Sequence, residues 1–168
     1  MASLLLLRHA RAAWAEPGMR DFDRPLDMSG RVDADAMGAV LAVSGMVPDL
    51  VICSGAKRAR DTWEAVAKHL HPTCQAIFTD ELYVTDATGY LNLVRDHGDS
   101  KALMLVGHNP MIEDVCFAIA PDGDAAAKDA RAGGFPACGL ALIDMRGPLA
   151  GAAPGAGFLE AFHYPSEV

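Results

Sequence analysis

Arg8-His9 sets a guanidinium and an imidazole side by side directly after the run Leu4 to Leu7. Two more apolar runs also end in side chains able to do chemistry: Leu50 to Cys53, followed by Ser54 and Arg58, and Ala102 to Val106, followed by Gly107-His108. Arginine's planar fork binds phosphate oxygens bidentately and stays charged. A neutral imidazole among such cations can attack phosphorus and carry the phosphoryl group as a covalent phosphohistidine. The surrounding cations supply most of the stabilisation in such a transfer. Two arginines and two histidines at one point therefore suit a phosphoryl group. The plain alternative is that Arg8 and His9 merely open a solvated loop.

The elements that must position these residues alternate between strand and helix. Leu4–Leu7, Leu50–Cys53 and Ala102–Val106 lack polar alternation and read as buried strands. Helical spacing runs from Ser29 to Val43 through Val32, Ala36, Met37, Val40 and Leu41, and Gly45 and Pro48 stop it. A second helix follows Ser54-Gly55, with Ala59, Trp63, Val66, Ala67 and Leu70 on one face and Pro72 past its end. Ala76–Thr79 reads as a weaker strand and Thr88–His97 as a helix. Asn109 is expected to cap a helix that takes Pro110, Glu113 and Asp114 in its first turn. Gly139–Met145 and Phe158–Tyr164 read as two late strands able to pair as an edge hairpin. Ala12–Met28, Asp80–Thr88 and Pro121–Ala137 read as loops.

This alternation predicts one domain over residues 1–168, a three-layer α/β/α sandwich with a mostly parallel central sheet. Parallel strands put their carboxyl ends at one edge, where ligands bind. Arg58 then sits in the first turn of a helix, whose free N–H groups also favour an anion.

The 168 residues carry a formal net charge of −8, which argues against a nucleic-acid partner. The start Met1-Ala2-Ser3 has no basic region, and no stretch approaches a membrane span. Cys53, Cys74, Cys116 and Cys138 are widely spaced and are expected as free thiols. A cytoplasmic monomer is the expectation.

Arg8-His9-Ala10, the Arg58 helix start and Gly107-His108-Asn109-Pro110 together resemble the histidine phosphatase superfamily, whose fold is phosphoglycerate mutase-like. The run from Asp21 to Arg31 and the compact segment from Glu81 to His108 look most like the small SixA-type phosphohistidine phosphatases. The resemblance implies His9 as the phosphorylated nucleophile, and Arg8, Arg58 and His108 as the phosphate pocket. Arg24 and Asn109 join the candidate substrate-binding residues, and no cofactor or metal is expected. A histidine-phosphotransfer protein is the partner the resemblance suggests. Mutase-type members usually continue the first motif with Ser or Thr and then Trp-Asn, whereas this chain reads Arg11-Ala12-Ala13-Trp14-Ala15. Glu81 is the best positional match to the general acid of larger relatives, with a solvated loop carboxylate as its alternative. Two other functions stay open: a phosphomonoesterase for a small metabolite, and a binding module that senses phosphate without turnover.

Other motifs carry less. Cysteine-dependent phosphatases need C-x5-R, but four residues separate Cys53 from Arg58 and six separate it from Arg60. Asp21-x-Asp23 follows a Pro/Gly-rich loop rather than the strand an aspartate nucleophile requires. His69-x-His71 has no third metal ligand nearby and reads as surface. Asp122-Gly-Asp124 reads as a polar turn. Arg24 is expected either at the pocket rim or as a brace for its loop. Trp63 is expected to pack, and Trp14 to anchor its loop.

Overall fold

The computed structural model describes residues 2–70 and 74–165. His71 and Pro72 lie outside the described residues. Six strands form one mixed sheet in the order β3-β2-β4-β1-β5-β6. They are β1 (Ser3–Arg8), β2 (Leu50–Ser54), β3 (Gln75–Thr79), β4 (Ala102–Gly107), β5 (Leu140–Met145) and β6 (Gly157–His163). β1, β2, β3 and β4 run parallel, while β5 pairs antiparallel with both β1 and β6 at the edge. The late hairpin is therefore present.

Each face of the sheet buries its own core. Leu5, Leu7, Val51, Cys53, Met104 and Val106 face α1 (Met28–Ser44) and α2 (Lys57–Ala67). Leu4, Leu6, Ile52, Leu103 and Leu105 face the opposite layer. That layer holds α3 (Glu81–Val84), α4 (Ala87–Asp96), α5 (Met111–Ile119) and α6 (Ala125–Arg131). This is the three-layer α/β/α arrangement with a mostly parallel central sheet. Among the described residues, no helix is long and apolar enough to cross a membrane.

Four local expectations need correction. The buried face of α1 is Gly30, Ala34, Met37, Gly38 and Leu41, while Val32, Ala36 and Val40 are exposed. The face is chosen by close approach: a Cβ on Gly30 would lie 2.2 Å from the Arg11 carbonyl oxygen. Residues 81–84 form a helical turn rather than open loop, and Leu82 beneath it is fully buried. Within 121–137, Asp124 accepts hydrogen bonds from the Ala126 and Ala127 amides and starts α6, whose Arg131 is buried against the Ala120 carbonyl. Asn109 does not cap α5. Pro110 takes the cap position with no side-chain bond, and Asn109 Nδ2 donates instead to the Phe135 carbonyl at 3.1 Å.

Candidate active site

Register brings the polar strand ends together. Arg8 lies opposite Gly107 in the β1–β4 pair, and the His9 amide continues the ladder by donating to the Gly107 carbonyl at 3.1 Å. Cys53 lies opposite Val106 in the β2–β4 pair, which puts Ser54 and the start of α2 on the other side. The rings of His9 and His108 stand 5.1 Å apart between centroids. Arg58 Nε points at His9 Nε2 from 3.4 Å. The fold thus gathers Arg8, His9, Arg58 and His108.

Hydrogen bonding sets the state of His9. Its Nδ1 lies 2.7 Å from the Ala10 carbonyl oxygen, which can only accept, so the proton sits on Nδ1. Nε2 keeps its lone pair and faces the arginines. Burial, reinforced by Arg58, Arg8 and Arg24 and only partly opposed by the Ala10 bond, lowers the His9 pKa to about 4. Burial followed by the neighbouring His9 and Arg58 lowers that of His108 to about 3. Both rings are neutral near pH ~7.

His108 is held at both ends. Its amide donates to the Tyr90 hydroxyl at 3.1 Å, and its Nε2 meets the Ser54 hydroxyl at 2.8 Å. Ser54 Oγ accepts from the Ala56 amide at 3.2 Å and has Nε2 as its only acceptor among the described residues, so its proton points there and His108 keeps its own on Nδ1. His108 Nδ1 and Arg8 Nε are buried without a hydrogen-bond partner among the described residues. Two unmatched donors beside an electron-rich nitrogen form a receptor for anionic oxygens. Asn109 Oδ1 is also buried, without a hydrogen-bond partner among the described residues.

Several residues around the cluster were not legible as site residues. Arg58 Nη1 donates to the Asp21 carbonyl at 2.8 Å and Nη2 to the Asp21 carboxylate at 3.0 Å. Tyr83 and Arg24 bind the same carboxylate at 2.8 and 2.9 Å. The Tyr83 and Arg24 bonds, with Arg58 beside them, lower the Asp21 pKa to about 2 despite slight desolvation. Asp21 lay within the run that carried the family resemblance and Ser54 among the polar groups ending the second strand, but nothing local marked Tyr83. Arg8 Nη1 is fastened to the Phe135 carbonyl at 2.9 Å, the same oxygen that holds Asn109.

The remaining candidates sort by position. Arg24 both borders the cavity over His9 and braces its loop, through Nε to the Ala13 carbonyl at 2.9 Å. Glu81 is exposed at the start of α3, and its carboxylate makes no hydrogen bond among the described residues. Cys53 is wholly buried and its thiol pKa is pushed far up, so it is no nucleophile at neutral pH. The His69 ring meets the Asp35 carboxylate at 2.8 Å. Trp63 packs as expected, but Trp14 anchors nothing, being 90% exposed. Among the described residues, no group of three or more His, Cys, Asp or Glu could hold a metal ion.

Comparison with known proteins places this geometry. The profile of the histidine phosphatase superfamily, branch 1, matches residues 4–84. The crystal structure of an Agrobacterium tumefaciens protein named as a phosphohistidine phosphatase, SixA, is 35% identical with a TM-score of 0.84, covering 98% of each chain. A protein of the same name from Nakamurella multipartitia is 29% identical with a TM-score of 0.82, covering 99% of this chain and 97% of that one. An uncharacterized protein of Mycobacterium tuberculosis is 31% identical over 162 residues, 95% of this chain and 99% of its own.

Proposed function

The chain belongs to the histidine phosphatase superfamily as a SixA-type member, and from that premise we propose a protein phosphohistidine phosphatase with His9 as nucleophile. The observation that carries this is the lone pair on His9 Nε2, fixed by the Ala10 carbonyl and flanked by Arg58 and the unmatched donors of Arg8 and His108. In the first step His9 Nε2 attacks phosphorus while the bond from phosphorus to the substrate imidazole breaks. Arg8, Arg58 and His108 hold the transferring oxygens, and each such donor is worth about 10²–10³ in rate. In the second step water attacks phospho-His9, releasing inorganic phosphate and restoring the ring.

A P–N substrate suits the acids at hand. The departing imidazole carries a proton on its other nitrogen and leaves neutral, whereas an alkoxide needs a proton donor. Asp21 is held ionised, and hydrogen bonds to Asp27 from the Gly30 amide and the Ser29 hydroxyl, with Arg11 nearby, outweigh its desolvation and lower its pKa too. Neither carboxyl supplies a proton near neutrality. The protein acts on a phosphorylated partner, a histidine-phosphotransfer protein, as a cytoplasmic monomer without a metal.

Turnover of a phosphohistidine peptide and of p-nitrophenyl phosphate, side by side with His9→Ala, tests this. Preference for the peptide, an inactive variant and indifference to EDTA are expected. Equal or better ester hydrolysis would move the reading to a metabolite phosphomonoesterase and raise Glu81. No turnover of either would leave a phosphate-sensing module, and full activity of His9→Ala would remove His9 as nucleophile.

A further inference from the structure

The cavity over His9 is much larger than a phosphoryl group, about 850 Å³, and it runs past Arg8 and Arg58 to Arg11, Trp14 and Ala137. Trp14 therefore borders the same cavity as the nucleophile while remaining 90% exposed. A large indole left in water beside a reactive site loses favourable burial that a bound group can restore. The ledge presenting it is fixed. Ala12 bridges Leu26, the Ala13 amide donates to the Pro25 carbonyl at 2.8 Å, and Arg24 binds the Ala13 carbonyl at 2.9 Å. Ala12 and Ala13 are too small to fill the space between His9 and the indole. The charges fit the same occupant: four arginines face the cavity against one lining carboxylate, Asp27, in a chain of net charge −8.

We propose that Trp14 is the specificity platform of this site, stacking on the flat ring that bears the phosphoryl group and on the polypeptide flanking that ring. This rests on the phosphohistidine reading above and deepens it. Phosphoryl binding belongs to Arg8, Arg58 and His108, and recognition of what the phosphoryl is attached to belongs to the Arg11–Trp14 side. Among the described residues, the segment 80–88 contributes nothing to this cavity and the segment 121–137 contributes only its last residue, Ala137. Because the indole is solvent-exposed, its removal leaves the core intact.

The test compares wild type, Trp14→Ala and Trp14→Phe on a phosphohistidine peptide and on phosphoramidate, a P–N phosphoryl donor with no ring. Trp14→Ala should raise KM for the peptide by about tenfold at nearly constant kcat, an effect the size of one lost aromatic contact. Its phosphoramidate kinetics and Tm should match wild type, and Trp14→Phe should recover most of the peptide KM. As a second measurement, titrating the peptide into His9→Ala should blue-shift indole emission, and Trp14→Ala added to that background should abolish the shift. Unchanged peptide KM, or equal losses on both substrates, would overturn the platform and leave the phosphohistidine reading standing. A wild type that turns over phosphoramidate or p-nitrophenyl phosphate but not the peptide would overturn both.

Discussion

Asp21 shows how a single exposed carboxylate can govern the site from outside it. Half of its side chain is in water, yet it takes two hydrogen bonds from Arg58, one of them through its backbone carbonyl, and one from Tyr83. An isolated surface ion pair adds little to stability. Here the pair instead fixes the plane of a guanidinium whose Nε faces the nucleophile. Asp21→Asn keeps the shape and the carbonyl bond but loosens that plane. The expected outcome is a kcat about tenfold lower, smaller than loss of a whole donor, with Tm nearly unchanged. Steady-state kinetics beside a thermal melt would check it, and an unaltered kcat would show that Arg58 orients itself without the carboxylate.

At the scale of elements, the end of β4 is where packing and chemistry meet. Tyr90 of α4 is fully buried, donates to the Leu82 carbonyl and accepts the His108 amide. It reaches both only because residue 107 has no side chain: a Cβ there would lie 2.7 Å from the Tyr90 hydroxyl oxygen. Gly107→Ala must displace Tyr90 or β4, at a cost of about 1–3 kcal/mol. The displacement also moves His108, so vanadate affinity should fall together with the urea midpoint. Loss of stability with unchanged vanadate binding would separate Tyr90 from the placement of His108. The same logic governs α1, where Gly30 and Gly38 lie on the buried face because the Arg11 backbone at one and the Val66 backbone with the His69 ring at the other leave no room for a Cβ.

Across the whole molecule, two buried neutral histidines couple folding to pH. His9 and His108 ionise at about 4 and about 3 when folded, against 6.5 for an unperturbed ring. Between about pH 4 and pH 6.5 the unfolded chain binds more protons, so stability rises with pH through that window and is lost on acidification. Urea midpoints should be lower at about pH 5 than at about pH 7, and the double variant His9→Gln, His108→Gln should show a flatter dependence. An equal slope in that variant would place the titration elsewhere. The amino-acid sequence by itself determined the strands and the four residues at their ends. Buried apolar runs are local, and a parallel sheet aligns their carboxyl ends whatever the loops do. Short α3 and α6 escaped notice because four and seven residues carry almost no periodicity, and Leu82 and Arg131 are held by tertiary burial. Only the tertiary structure decided that Asp21 meets Tyr83 across 62 residues, that Ser54 meets His108, and that Trp14 stands in water at the cavity edge. Those outcomes depend on the paths of loops, and the contacts that set the paths lie far apart in the chain.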